Sequence, residues 1–473
     1  MRYLIIFCSL LFLVACQAYR PLAETPTPDD WKTRILPPSP QDTTGDAAAG
    51  LDYLLNGDYI GSGVPLEIMQ QAAPKIGGTD VLERDGLNRG LPYFMTAFTA
   101  PNGSPTANGN CFTCHANFLP TGEDGQLELV LGGTESFSDY EKSMVLGGVG
   151  MRVGMALKYN KKKDPEVAAF EDFGRYFKVM APKIKTTQPG GNPAFRLAEA
   201  CMMHRNPEDL TYSEEPLFAM WDYNIGTDTP PLWHVKKKNT LYFTGIGRGN
   251  MPKLLLQASV LGTPDSTHSR QSLEAFRDVY AWLLELEAPP YPGAIDQPLA
   301  ATGKPVFEKK CAGCHGTYDD ERGHTYPNKV VNLNVVKTDR LYADYIQNSG
   351  IVDWYNSSWF ATSEPKSAFV PNLGYVAPPL DGIWATAPYL HNGSVPNLYE
   401  LLNSSARTDR WTRSGDASDY DFERVGWRYD PKPKKKKWTF DTSVPGYSNV
   451  GHYFGDKLEE AERWAVIEYL KTL

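Results

Sequence analysis

Residues 108–119 read "NGNCFTCHANFL", and residues 309–317 read "KKCAGCHGT". Each stretch sets two cysteines three positions apart with a histidine directly behind: Cys111, Cys114 and His115, then Cys311, Cys314 and His315. Two thiols at this spacing suit thioether bonds to the two vinyl groups of one haem, and the next residue offers its imidazole to the iron. Structural zinc would want four ligands meeting in one place. A thiol redox pair has no need of the histidine. The full pattern occurs twice in a chain with only seven cysteines, which favours two covalently bound haem c groups.

The other cysteines fit an exported chain. Residues 1–20 read "MRYLIIFCSLLFLVACQAYR", an apolar run too short to span a bilayer and of signal-peptide length. It ends in "LVAC", which resembles a lipobox, so residues 1–15 are expected to be a lipoprotein signal peptide. Cys16 would then carry lipid and anchor the protein in the periplasm, at the outer membrane. With Cys8 lost, only Cys201 lies outside both motifs and the anchor, so no disulfide framework is expected. A net charge of −9 argues against a nucleic-acid partner.

Residues 16–50 are rich in proline and read as an extended tether. The rest repeats one plan: motif, long insert, closing helix. "SRQSLEAFRDVYAWLLELEAPPYPG" (269–293) is a helix stopped by Pro289, Pro290 and Pro292. "TGKPVFEKKCAGCHG" (302–316) is a helix entering the second motif, and "KLEEAERWAVIEYLKTL" (457–473) is an amphipathic helix at the end. The expectation is a mainly α protein with two cytochrome c-type haem domains and long loop-rich insertions. The N-terminal domain would span 51–295 and the C-terminal domain 296–473.

The sixth ligand of each iron decides the chemistry. An iron closed by a second protein ligand moves electrons; an open one binds oxidants. All eleven methionines lie at or before Met251, so the second domain cannot supply one. Its free histidines are His324, His391 and His452. His324 reads as a surface loop residue. His452 is favoured over His391, because it sits in a glycine-flanked loop just ahead of the closing helix. The first domain offers His204, His234 and His268, with Met202 and Met203 as weaker rivals. An open or water-bound iron is favoured there, lined by aromatics of "LYFTG" and "PLWH", among them Trp233, Tyr242 and Phe243.

"LDGIWATAPYLHNGSVPNLYELL" (380–402) and "TDTPPLWHVKKKNTLYFTG" (227–245) resemble segments of the bacterial dihaem cytochrome c peroxidase and MauG superfamily, which includes RoxA-type rubber oxygenases. The resemblance covers about 51–473. It implies a reactive N-terminal haem, a C-terminal electron-transfer haem, and a calcium ion near Asp228, Thr386 and Pro388. Oxygen ligands of this kind suit calcium. Phe243 stands where the family's inter-haem tryptophan falls, leaving Trp233 or Trp384 as substitutes. No histidine lies between His115 and His204, so the peroxidases' distal histidine has no match. His452 resembles the second-haem ligand of the rubber oxygenases.

Three functions compete: reduction of hydrogen peroxide, with electrons relayed by the second haem; oxygenation of an apolar substrate by dioxygen; and non-enzymatic electron carriage. The basic runs "YNKKKDP", "HVKKKN" and "PKPKKKKW" read either as solvated loops or as a docking patch for an acidic electron-donor protein, "KPKKKK" (432–437) being the stronger patch.

Overall fold

The computed structural model describes residues 33–473, apart from 80, 123–124, 137–149, 152, 160–163, 185, 222, 224, 320–322 and 435–437. Residues 1–32, where the signal peptide, the Cys16 anchor and the start of the tether are expected, and the lysines at 161–163 and 435–437 lie outside the described residues. No described helix is long and apolar enough to cross a membrane.

Four helices frame the molecule as two pairs. Helix α1 (Ala47–Asn56) is capped by the Asp46 side chain, which accepts from the Ala49 amide. Helix α2 (Ser266–Glu285) is capped by Asp265, which accepts from the Thr267 and His268 amides. Helix α3 (Gln297–Lys310) is capped by Asp296 and runs directly into Cys311. Helix α4 (Glu460–Leu470) opens on a capping box of Glu459 and Glu462. Helix α1 packs on α2, and α3 on α4.

Each pair crosses on a glycine. A Cβ on Gly50 would lie 2.1 Å from the Asp278 carbonyl oxygen, and one on Gly303 would lie 1.9 Å from that of Ala465. Backbones approach this closely only where no side chain intervenes. The two motifs are therefore each accompanied by the same device, a glycine-centred helix crossing.

The fold differs from the sequence expectation in three ways. It is mixed, with 40% helix and 14% strand, not mainly α. Strands of two to five residues pair on both sides of the first motif: Val64–Pro65 with Pro105–Gly109, which also pairs Met95–Thr99, and Ala116–Leu119 with Glu128–Leu131. Strands this short leave too little alternation to read from sequence.

The compact body also starts before residue 51. Arg34–Ile35 pairs with Lys329–Asn332, Leu36 is buried, and α1 begins at Ala47.

Finally, the halves on either side of residue 295 are not separate. Gly247–Gly249 pairs with Ser367–Phe369. One core cluster joins Leu54, Phe112 and Cys201 to Tyr345, Trp354 and Phe360. The insert after the second motif packs its aromatics onto the first half, so a cut at 295 would divide a single core.

Candidate functional site

The second motif is built from α3 outward. Past Cys311, the turn Ala312–His315 ends on Gly316 at φ +86, where a Cβ would meet the Thr325 carbonyl at 1.9 Å. His315 Nδ1 lies 2.9 Å from the Pro378 carbonyl. A carbonyl only accepts, so Nδ1 carries the proton and Nε2 keeps its lone pair for a metal. His452 comes from the loop before α4. It sits in the left-handed region at φ +50 beside Gly451 at φ +86, and its amide donates to the Val336 carbonyl at 2.7 Å.

The His315 and His452 ring centroids lie 6.2 Å apart at 63°. Two imidazoles sharing one metal through nitrogens at about 2.0 Å would set their centroids about 6.3 Å apart. Burial, then the nearby His315 and Arg407, pull His452 down to about 3, and burial also lowers His315. Both rings are thus held neutral, as metal ligands must be.

Cys311, Cys314, His315 and His452 face a cavity of about 320 Å³ whose wall is mostly apolar. The thiols, the paired imidazoles and the apolar wall fit a covalently held haem. The alternatives fit less well. Among the described residues no three or more His, Cys, Asp or Glu side chains gather to hold a metal, so structural zinc finds no ligand set. Burial pushes the Cys111 and Cys311 thiols up to about 11, the reverse of what a reactive redox thiol needs.

The first motif is fixed from its own strand end. The Asn110 side chain accepts from the Phe112 amide, and the Cys111 amide donates to the Tyr59 hydroxyl at 2.8 Å. Phe112 packs edge-on against Trp282 of α2 at 6.0 Å. Burial pulls His115 down to about 4, opposed by the Pro230 carbonyl. Pro230 lines the cavity, whereas Cys111, Cys114 and His115 do not.

The first half's other histidines are engaged elsewhere. His204 Nδ1 meets the Ser213 carbonyl at 3.0 Å, and His268 lies between Asp58 and Thr263 at 3.1 and 3.2 Å. His234 Nε2 donates to the Asp381 carbonyl at 3.0 Å. Cys201, Met202 and Met203 are core residues. In the second half, His324 is exposed beside Tyr318. His391 is buried, stacked on Tyr375 at 4.1 Å, and turns an unpartnered Nε2 in the cavity wall.

Trp233 is buried in a cluster with Leu119, Ile383 and Trp384, where the halves meet, and its indole donates to the Asp381 carbonyl at 2.9 Å. Trp384 donates to the Pro289 carbonyl at 2.8 Å. Tyr242 and Phe243 line the cavity, Tyr242 bonded to Gln257 and Phe243 lying 6.2 Å from His391. Asp228, Thr386 and Pro388 line the same cavity. Burial raises the Asp228 carboxyl well above its usual range, against the pull of the Thr229 amide and of Arg413. Their oxygens are of the hard kind that calcium takes.

Sequence reasoning missed Pro378, because a carbonyl that orients a histidine leaves no side-chain signature. It also misread "HVKKKN". Lys236 pairs with Glu287 and Lys237 with Asp381, both at 2.5 Å, and Lys238 lines the cavity. Burial lowers Lys238 to about 8.

His234 and His391 give a pH prediction. Burial holds both down to about 3, with Lys238 adding to the effect at His234. A depressed folded pKa means stability is present above the unfolded value, about 6.5, and is lost as pH falls toward the folded one. The midpoint of thermal unfolding should therefore fall steadily from pH 7 to pH 4, and His234→Gln should flatten that slope. An unchanged slope would show that His234 is charged in the folded state.

A family described as RoxA-like, cytochrome c-like matches residues 374–412. That segment supplies much of the cavity wall, including Tyr375, Pro378, Thr386 and His391. The chain is also similar to two proteins of Sinorhizobium fredii. The uncharacterized protein y4iJ is 29% identical, over 38% of this chain and 40% of the relative. The uncharacterized protein y4iM is 28% identical, over 52% of this chain and 64% of the relative. The chain thus spans less than two thirds of either relative's length. The matched segment resembles that of RoxA-like cytochromes c, which carry covalently bound haem c, and is compatible with a haem-based oxidoreductase.

Proposed function

We propose that the chain is an exported dihaem c-type oxidoreductase. Cys111, Cys114 and His115 hold a haem that is open to a small oxidant; Cys311, Cys314, His315 and His452 hold a second haem that relays electrons. Haem, when bound, supplies an iron that can take a small oxygen species or exchange single electrons.

The observation that carries this reading is the unequal surroundings of the two proximal histidines. His452 faces His315 at metal-sharing distance. His268 has both ring nitrogens partnered, by Thr263 and Asp58, and the His204 and His234 rings lie against Tyr212 and Trp233. Pro378 fixes the His315 tautomer, and the cavity wall is mostly apolar. Lys238 and Lys310 bring cationic ends to that wall, suited to carboxylates such as haem propionates. Trp233 lies at the seam between the halves, placed to couple the two centres. On this reading calcium lies near Asp228, Thr386 and Pro388, and lipid on Cys16 tethers the protein in the periplasm at the outer membrane.

Hydrogen peroxide is the first oxidant to test. Its reduction takes two electrons and two protons to give two waters, and two haem centres can hold the two electrons. The RoxA-like segment favours a second reading, dioxygen with an apolar substrate. Stopped-flow assays separate them. A peroxidase consumes peroxide only with an electron donor present; an oxygenase consumes dioxygen with no peroxide added. A protein that reacts with neither, while exchanging electrons with a donor, would be a carrier.

A further inference from the structure

We propose that a ladder of aromatic rings carries oxidising equivalents from the cavity faced by the second motif, the electron-relaying centre, to Trp221 on the surface, where electron-rich aromatic donors too bulky to enter are oxidised. This rests on the reading of the chain as a peroxide-reducing enzyme. The ladder begins in the cavity wall at Tyr375, which His391 stacks upon at 4.1 Å. Tyr375 stacks on Tyr342 at 6.5 Å, and Tyr342 meets Phe195 at 5.7 Å. Phe195 meets Tyr345 at 6.0 Å, and Tyr345 meets Trp221 at 6.2 Å. These separations are those of neighbouring rings in contact. Tyr342 and Tyr345 are one turn apart on the helix Leu341–Asn348, and Phe195 bridges them from the helix Ala194–Met203.

Two features go beyond core packing. The ladder ends in the open: Trp221 is 39% exposed, while Tyr345 is 1% exposed. Leu217, four residues earlier, is also exposed, so the same segment presents apolar footing to a bulky donor. Tyr345 also has a proton acceptor in place. Its hydroxyl donates to Glu199 Oε1 at 2.7 Å, and Arg196 pairs with Glu199 Oε2 at 2.7 Å. Burial pushes Glu199 up to about 7, against the attraction of Arg196, which makes its carboxylate a competent base near neutral pH.

Tyr345 loses one electron inward along the ladder, and its phenolic proton passes to Glu199. Trp221 gives an electron to the Tyr345 radical, and Glu199 returns the proton. An aromatic donor then reduces the Trp221 radical cation. Two donors are each oxidised by one electron for every peroxide reduced, with two protons, to two waters.

The test uses the full-length haem-loaded protein, with the sulfonated dye ABTS as bulky donor and hydroquinone as small one. With peroxide and no donor, peptide mass spectrometry should find oxygen added at Trp221, and Tyr345→Phe should remove that mark. Trp221→Phe should lower ABTS oxidation by about tenfold or more, with hydroquinone-supported peroxide consumption and the haem spectrum unchanged. An unmarked Trp221, or undiminished ABTS oxidation in Trp221→Phe, in a protein that consumes peroxide would overturn the ladder alone. No peroxide consumption with any donor would overturn the enzymatic reading and the ladder with it.

Discussion

His452→Ala will convert the C-terminal haem from a low-spin, six-coordinate centre to a high-spin, five-coordinate or water-bound one. His452 is presented by a strained turn: φ +50, a neighbouring glycine at φ +86, and an amide tied to Val336. The turn exists to bring this one ring opposite His315, so its removal leaves no substitute. His391 is stacked on Tyr375, and its carbonyl accepts from the Asp228 amide at 2.7 Å, which pins the segment. No methionine follows Met251. Loss of one imidazole should raise the reduction potential of this centre and lower peroxide turnover by about tenfold or more, or about 1.4 kcal/mol in the barrier. His452→Met should stay six-coordinate with a raised potential, because thioether sulfur favours the reduced iron. Magnetic circular dichroism and a redox titration of the two variants check both statements. An unaltered low-spin spectrum in His452→Ala would mean that another group closes the iron.

Gly303→Val will be among the most destabilising single changes in the chain. Its Cβ would fall 1.9 Å from the Ala465 carbonyl oxygen and 2.4 Å from the carbonyl carbon, both backbone atoms that no rotamer can move aside. Helix α4 must shift outward, which strains the contacts of Phe307 with Tyr469 at 5.2 Å. Overpacking at such a site costs about 3 kcal/mol. Gly313→Ala is the matched control: its Cβ would meet nothing within 4 Å, in the turn between the two cysteines of the motif. Denaturant titration should show a large fall in midpoint for Gly303→Val and almost none for Gly313→Ala. Gly50→Val, whose Cβ would meet the Asp278 carbonyl at 2.1 Å, should behave like Gly303→Val if both crossings carry equal weight.

What the sequence made legible was whatever depends on few residues close in the chain. The two motifs are such features, and so are α2, α3 and α4, whose periodicity, caps and proline stops are local. The placement of His452 opposite His315 was also open to reasoning, because so few histidines and no methionines occupy the second half. What stayed hidden depends on long-range partners. Arg34–Ile35 becomes a strand only because Lys329–Asn332 pairs with it, 294 residues on at Lys329. The first residues of α1 read as tether because a short alanine run among prolines looks mobile until α2 covers it. The shared core was invisible for the same reason: Tyr345 and Trp354 look like residues of the second half until they pack beside Cys201. Lysines 236–238 read as a solvated loop or a docking patch, yet two are paired and the third enters the cavity wall. The orienting carbonyl of Pro378 could have been found only from coordinates.

The proposed division of labour requires the two irons to differ in coordination. Low-temperature EPR of the protein as purified reads that difference directly. One high-spin ferric signal and one low-spin bis-imidazole signal, in equal amounts, is the predicted result. Two low-spin ferric signals in the protein as purified, with no high-spin signal appearing at the remaining ferric centre once the other is reduced, would contradict it.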